Sequence, residues 1–318
     1  MIVVWRVTER CNLACGFCAY DRRLEFPRRS ADPKKVRELG AELARLRSGK
    51  PLLVSWLGGE PLLWEPLQDL TDTFRRHHGF AISTTTNGTP LRSAGIRRYL
   101  VENYAELTVS VDALGESHDA LRGCPGLFAQ LRRDVHTLEQ ERSRAGAALT
   151  LRANVVLMRH TIDGFPALCR ELCTWGIREI SYNALGGRDR PEFHAEHALL
   201  PAQAVALRER IPTLRAELAR VGVRLLGSDA YLDRLVAASE GRRLRIEDCR
   251  PGESFLFIDE RGRVSPCSFT ADSYGLDPLS SETAFAGVGA CFRRLRAQAL
   301  ATACEDCMST HVFAKFTA

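Results

Sequence analysis

Cys11, Cys15 and Cys18 stand in the run Cys11-Asn12-Leu13-Ala14-Cys15-Gly16-Phe17-Cys18, ten residues into the chain and directly after an apolar, strand-like segment. A C-x3-C-x2-C loop can bring three thiolates onto one iron–sulfur cubane while leaving the fourth iron without a protein ligand and open to a small molecule. Zinc or a buried trio of reduced thiols is the competing reading. Zinc usually takes four ligands, often as C-x2-C pairs, and a triplet with an aromatic in its last gap matches that poorly.

The rest of the chain alternates β-rich runs with amphipathic helical stretches, which argues for a parallel sheet with crossover helices. Strands are expected at Ile2–Val7, Leu52–Leu57, Phe80–Thr85, Leu107–Asp112, Leu149–Leu157 and Ile177–Asn183. Helices are expected at Pro33–Arg47, Leu67–His77, Ile96–Val101, Phe128–Ala145 and Phe165–Trp175, with Gly79 and Gly176 as stops. In such folds the chemistry sits at the C-terminal ends of the strands. The cysteine loop follows the first strand at that end, and Gly58-Gly59-Glu60-Pro61 closes the second.

The cysteine spacing, Phe17 before the third cysteine, and the Gly-Gly-Glu run together resemble the radical S-adenosylmethionine (SAM) superfamily. The resemblance implies an α/β fold with a partial (β/α)6 TIM-type barrel. It also implies an open iron that chelates SAM and a reduced [4Fe-4S] cluster that cleaves it to a 5′-deoxyadenosyl radical. By the same resemblance Gly58, Gly59 and Glu60 hold the amino group of SAM, and Phe17, Ser110 and Asn154 belong to the cofactor site. The Thr84-Thr85-Thr86-Asn87-Gly88 strand end is a weaker candidate, because strand-end hydroxyls often only cap the next helix. Arg152 and Asn154 share one strand face by parity, and with Asn183 they are candidates for the barrel mouth.

The last third carries a second constellation, Cys249, Cys267 and the C-x2-C pair Cys304 and Cys307, with seventeen residues between the first two. A helix near Pro201–Val221 precedes it, a hairpin turning at Asp259–Gly262 holds Cys249 and Cys267 close, and a helix at Phe292–Ala301 leads to the final pair. A zinc knuckle would use the same four thiols. The pattern resembles the twitch domain, a shortened SPASM domain, which implies one auxiliary [4Fe-4S] cluster. The expected division is 1–200 for the barrel, 201–248 for a helical connector and 249–318 for a small α/β twitch domain. Cys169 and Cys173, four apart on a helix, read as small apolar residues; Cys124, in a loop beyond the fourth strand, reads as structural or as a hydrogen donor.

Composition narrows the partners. Net charge is +5 from 44 basic and 39 acidic residues with no long block of one sign, which does not suggest nucleic acid. No apolar window of about 18 residues exists and the start lacks a signal-peptide layout, so a cytoplasmic protein without membrane contact is expected. Eleven cysteines in that compartment suit clusters better than disulfides.

The four-cysteine arrangement resembles that of the 2-deoxy-scyllo-inosamine dehydrogenase type, in which the auxiliary cluster accepts an electron from a substrate radical. The function this implies is oxidation of a secondary alcohol of a small polyol, aminocyclitol or amino sugar to a ketone, in an aminoglycoside-type pathway. Cys124 and Asn183 are the catalytic candidates. Glu9, Asp112, Arg152 and Glu192 are the substrate candidates, and a flavodoxin- or ferredoxin-type protein is the reductant. An epimerase using Cys124 as hydrogen donor is one alternative. A peptide-modifying enzyme is another, although ten residues before Cys11 leave no room for an N-terminal peptide-recognition domain.

Overall fold

The computed structural model describes residues 1–47, 49–187, 189–279 and 285–309. Arg188, within the stretch after the sixth expected strand, and the tail 310–318 of the expected twitch domain lie outside them. Among the described residues there are nine strands: β1 (Ile2–Thr8), β2 (Leu53–Gly58), β3 (Ala81–Thr86), β4 (Glu106–Ser110), β5 (Thr150–Leu157), β6 (Glu179–Ala184), β7 (Arg224–Leu225), β8 (Phe255–Ile258) and β9 (Val264–Ser265). The helices are α1 (Pro33–Arg47), α2 (Leu67–Arg76), α3 (Ala94–Asn103), α4 (Gly115–Arg122), α5 (Leu127–Ala145), α6 (Phe165–Thr174), α7 (Pro191–His197), α8 (Pro201–Arg220), α9 (Asp229–Ser239), α10 (Ala271–Tyr274), α11 (Val288–Gln298) and α12 (Thr302–Glu305). All six expected strands are there within two residues at either end, and the fold is the mixed α/β, partial-barrel type.

The chain divides into two compact units. One contains Met1–Arg10, Pro27–Thr84 and the segment from Arg243; the other contains Cys11–Phe26 and Thr85–Arg242. Strand order is β3-β2-β1-β8-β9 in the first and β7-β6-β5-β4 in the second, and the pairings within each are parallel apart from the β8–β9 hairpin. This corrects the three-part division. Residues 201–248 are not a connector, because β7 pairs with β6 (Glu179↔Arg224) as part of the second unit. Nor does a separate domain begin at 249, because β8 lies in register on β1 (Ile2↔Phe255, Val4↔Phe257) and shares its core.

Alternation explains the packing. In β1 and β2 the residues Val3, Trp5, Val54 and Trp56 are fully buried, and α2 lays Phe74 on them with ring centroids 5.8 Å from Trp5 and 5.3 Å from Trp56. In the second unit α5 buries Leu127, Leu131, Val135 and Leu138, the stripe that a 3.6-residue period gives one helix face. It ends at Gly146 with φ 59°, a left-handed C-terminal cap that glycine adopts without a Cβ penalty. Gly79 and Gly176, expected as helix stops, have φ of 63° and 89°. Among the described residues no helix is long and apolar enough to cross a membrane.

Candidate active site

In the second unit the cysteine loop is held from several sides. The Cys18 N–H donates to the Cys15 carbonyl at 3.0 Å and the Arg22 N–H to the Leu13 carbonyl at 3.0 Å, which folds the loop back on itself. Asn87, just past β3, donates from Nδ2 to Cys11 Sγ at 3.7 Å and to Asn12 Oδ1 at 2.9 Å. The Tyr20 N–H donates to Cys18 Sγ at 3.4 Å. The turn after α4 closes the remaining side. The Ala14 N–H donates to the Arg122 carbonyl at 3.3 Å, and Cys15 Sγ lies 3.9 Å from the same oxygen. Gly123, at φ 60°, leaves no room there, since a Cβ would meet the Ala14 carbonyl oxygen at 2.8 Å.

Burial pushes the Cys15 thiol up to about 12, opposed by the Arg122 charge and reinforced by Cys18 and Cys11. Cys18 is raised for the same first reason, with the Tyr20 N–H and Arg122 opposing. Among the described residues no three Cys, His, Asp or Glu side chains are already drawn to closed metal spacing. The donor chemistry nevertheless fits an iron–sulfur cluster: soft thiols grouped on one loop, with N–H groups aimed at two of the sulfurs. Cluster loading would expel protons from the buried thiols.

The half-buried face of β4–β6 is polar. Ser110, Asn154 and Ser181 lie side by side in register. Asn154 Oδ1 accepts from Ser181 Oγ at 2.9 Å and from Asn183 Nδ2 at 2.7 Å. Ser110, Asn154 and Asn183 thus lie on one surface. Ser181 was missed, although it shares parity with Asn183. Arg122 and Phe193 were missed as well, while Asn87 belongs to the strand end that was a weaker candidate.

Four expectations for substrate contacts are corrected. Arg152 is close to the N-terminal ends of the strands, where Glu179 pairs with it and with Arg224, and Glu106 lies 3.4 Å away. It belongs to a structural ion cluster because strand position, not only face, decides access to the C-terminal rim. Asp112 is buried and paired with Arg122 at 2.6 Å; its Oδ1 also accepts from the Val156 N–H at 2.9 Å. Glu192 is largely exposed on α7 and paired with Arg190 at 2.5 Å. Glu9, in the first unit, accepts from the Arg29 N–H at 3.0 Å. None of the three carboxylates is left uncommitted for an ammonium group. α7 (Pro191–His197) follows β6, and its Phe193 ring lies 6.0 Å from Phe17. Cys124 is half-buried, with its N–H bonded to the Asp119 carbonyl at 3.0 Å.

In the first unit the Gly-Gly-Glu turn is clamped to the end of β1. The Gly59 N–H donates to the Thr8 carbonyl at 2.7 Å and the Glu60 N–H to the Arg10 carbonyl at 2.9 Å. A Cβ on Gly58 would sit 2.3 Å from the Thr8 carbonyl oxygen, so this approach requires glycine. Glu60 is fully buried and its Oε1 accepts from the Leu62 N–H at 3.2 Å, fixing the carboxylate.

The same unit gathers Cys249, Cys267, Cys304 and Cys307 around one cavity, walled by Pro251, Pro266, Phe269, Tyr274 and Phe292. Burial pushes Cys249 up to about 11, with the Arg296 charge opposing and the other three cysteines adding. Cys267 is raised too, by burial first, against hydrogen bonds from Thr270 and Phe269. Four thiols about one apolar cavity fit a cluster ligated at every corner. Cys169 and Cys173 lie on α6 with the Cys173 thiol bonded to the Cys169 carbonyl at 3.1 Å, as small packing residues would be.

Comparison with known proteins agrees with this geometry. Residues 5–142 match the Radical SAM superfamily model. Mycofactocin maturase MftC of Mycobacterium ulcerans (strain Agy99) is 27% identical over 314 residues, covering 96% of this chain and 79% of that protein. The AdoMet-dependent heme synthase of Nitratidesulfovibrio vulgaris is 23% identical over 279 residues, covering 84% and 73%. Among solved structures, Streptococcus suis SuiB bound to S-adenosylmethionine superposes with TM-score 0.65 at 16% identity, over 91% of this chain and 67% of that one. SuiB bound to its precursor peptide SuiA gives 0.61 at 17% identity, over 89% and 61%. Its cysteine triplet, its partial barrel and the match of residues 5–142 make the chain similar to radical SAM superfamily enzymes, and they support SAM and [4Fe-4S] clusters as its cofactors.

Proposed function

We propose that this enzyme modifies a peptide, removing a hydrogen atom from a carbon of one of its residues and oxidising the resulting radical. The observation that carries the reading is the likeness to mycofactocin maturase over 96% of this chain. SuiB, of the same fold, is solved with a precursor peptide. The aminocyclitol or amino-sugar reading loses its main support, because Glu9, Asp112 and Glu192 are each engaged by a backbone N–H or an arginine. A peptide offers amide groups instead, which suit the neutral donors and acceptors of Ser110, Asn154, Ser181 and Asn183.

In this reading Cys11, Cys15 and Cys18 hold the cluster that binds SAM, and the bound cofactor supplies a 5′-deoxyadenosyl radical. Cys249, Cys267, Cys304 and Cys307 would hold an auxiliary cluster, which would supply an acceptor for one electron from the substrate radical while the accompanying proton passes to solvent. Glu60 presents a fixed carboxylate to the SAM ammonium group. Ser110 and Asn154 orient polar groups of the cofactor, and Asn183 orients the substrate. Cys124 is not required as a hydrogen donor, so the epimerase alternative is set aside.

The test is an anaerobic incubation with SAM and a chemical reductant, offering a library of synthetic peptides in one arm and 2-deoxy-scyllo-inosamine in the other. The expected result is peptide-dependent 5′-deoxyadenosine formation and a peptide product two mass units lighter. Turnover of the aminocyclitol alone, to a ketone, would restore the small-molecule reading.

A further inference from the structure

Arg122 lies at the C-terminal end of α4, far along the chain from the cysteine loop, yet it meets that loop with both its backbone and its side chain. Its carbonyl accepts from the Ala14 N–H, and its guanidinium carbon stands 5.3 Å from the centre of the Phe17 ring. Asp112 fixes the guanidinium through a 2.6 Å ion pair in which the side chains are 10% and 0% exposed. Asp112 is in turn fixed by the Val156 N–H on Oδ1 at 2.9 Å, and its own N–H donates to His118 Nδ1 at 3.1 Å. The Arg122 Nε is buried without a hydrogen-bond partner. A buried ion pair contributes little net stability compared with a well-packed apolar pair, so stability alone does not account for a permanent cation at this place.

We propose that Arg122 is a positioning residue that sets the reduction potential of the cluster on Cys11, Cys15 and Cys18, with Asp112 as its counterweight. This rests on the cluster assignment above and is independent of the substrate. The physical reason is charge. Three thiolates and the carboxylate of SAM make the site strongly negative, and reduction adds one more electron. A fixed cation in a poorly screened interior stabilises the reduced form more than the oxidised form, which raises the potential. Its aromatic contact with Phe17 keeps the cation on the loop instead of letting it turn to solvent, and a guanidinium cannot lose its charge at any physiological pH.

The experiment is an EPR-monitored redox titration of the anaerobically reconstituted full-length protein, with iron and sulfide counted first. The signal that changes on adding SAM identifies the relevant cluster. Arg122→Gln should lower the reduced-to-oxidised ratio at a fixed potential about tenfold, which for a one-electron couple is a shift of about 59 mV downward. Arg122→Lys, which keeps the charge, should stay near the wild type. Asp112→Asn, which removes the counterweight, should shift the potential upward. An unchanged potential in both Arg122→Gln and Asp112→Asn, or shifts of the same sign, would overturn the proposal. If Arg122→Gln fails to retain iron, Asp112→Asn decides alone: an upward shift supports the role and no shift refutes it. Absence of SAM-responsive iron in the wild type would refute the cluster assignment itself, and this role with it.

Discussion

Cys11, Cys15 and Cys18 fall within eight residues of a single loop, whereas Cys249, Cys267, Cys304 and Cys307 are drawn from three segments of the chain around one cavity. The surroundings differ as sharply. The first group has amide donors on two sulfurs and a buried Arg–Asp pair beside it. The second sits among proline and aromatic walls with Arg296 as the charged neighbour of Cys249. A cluster that must take up an electron, bind a charged cofactor and pass through several charge states gains from polar, adjustable surroundings. One that only accepts an electron is better served by a closed, apolar pocket with a ligand at every iron.

The largest effect should come from separating the two groups. Cys18→Ala should abolish 5′-deoxyadenosine formation, because the open-iron cluster is lost. Replacing Cys304 and Cys307 by alanine should leave slow SAM cleavage while removing the oxidised product. Equal loss of SAM cleavage in both variants, measured by chromatography of the quenched reaction, would show that the groups do not divide the labour this way.

A smaller effect is expected at the Gly-Gly-Glu turn. Glu60→Ala should weaken SAM binding by about 1.5–3 kcal/mol, the loss of a charge-assisted hydrogen bond. Calorimetric titration of SAM into reconstituted protein measures it, and unchanged affinity would show that Glu60 is only the cap of the turn that follows it.

The smallest expected effect concerns stability near the cysteine loop. His118 is buried beneath Asp112, and burial, with the Arg122 charge adding, pushes its ring down to about 3 from the usual 6.5. The unfolded chain therefore takes up a proton below about pH 6.5 while the folded chain does not, so stability falls as the pH drops. The loss is about 1.4 kcal/mol per pH unit, or about 2 kcal/mol by about pH 5. His118→Asn should flatten that acid limb in urea midpoints compared at neutral and acidic pH, and an unchanged slope would assign the acid sensitivity elsewhere.

Much of this was legible because it is local. The cysteine spacing, the strand alternation and the glycine stops are each decided within a few residues, and the common face of Ser110, Asn154 and Asn183 follows from strand position and parity. What escaped is non-local. Arg152 has the same parity as Asn154, but its commitment to Glu179 and Glu106 depends on which rows of neighbouring strands come into register. Asp112 looked like a free carboxylate until α4 returned Arg122 to it. Glu192 looked like a substrate contact, yet α7, which carries it, sets Phe193 6.0 Å from Phe17, and Arg190 just before it lies 3.5 Å from Asp21 on the cysteine loop. The hairpin β8–β9 was foreseen, but its in-register pairing with β1, which makes it part of the barrel sheet, was not.

The measurement that bears most directly on the contrast between the two cysteine groups is an iron and acid-labile sulfide count on anaerobically reconstituted protein. The wild type should hold about eight of each, and the triple variant Cys11→Ala, Cys15→Ala, Cys18→Ala about four, as two independent [4Fe-4S] clusters require. Tightly held zinc without sulfide, or loss of all iron from the triple variant, would contradict it.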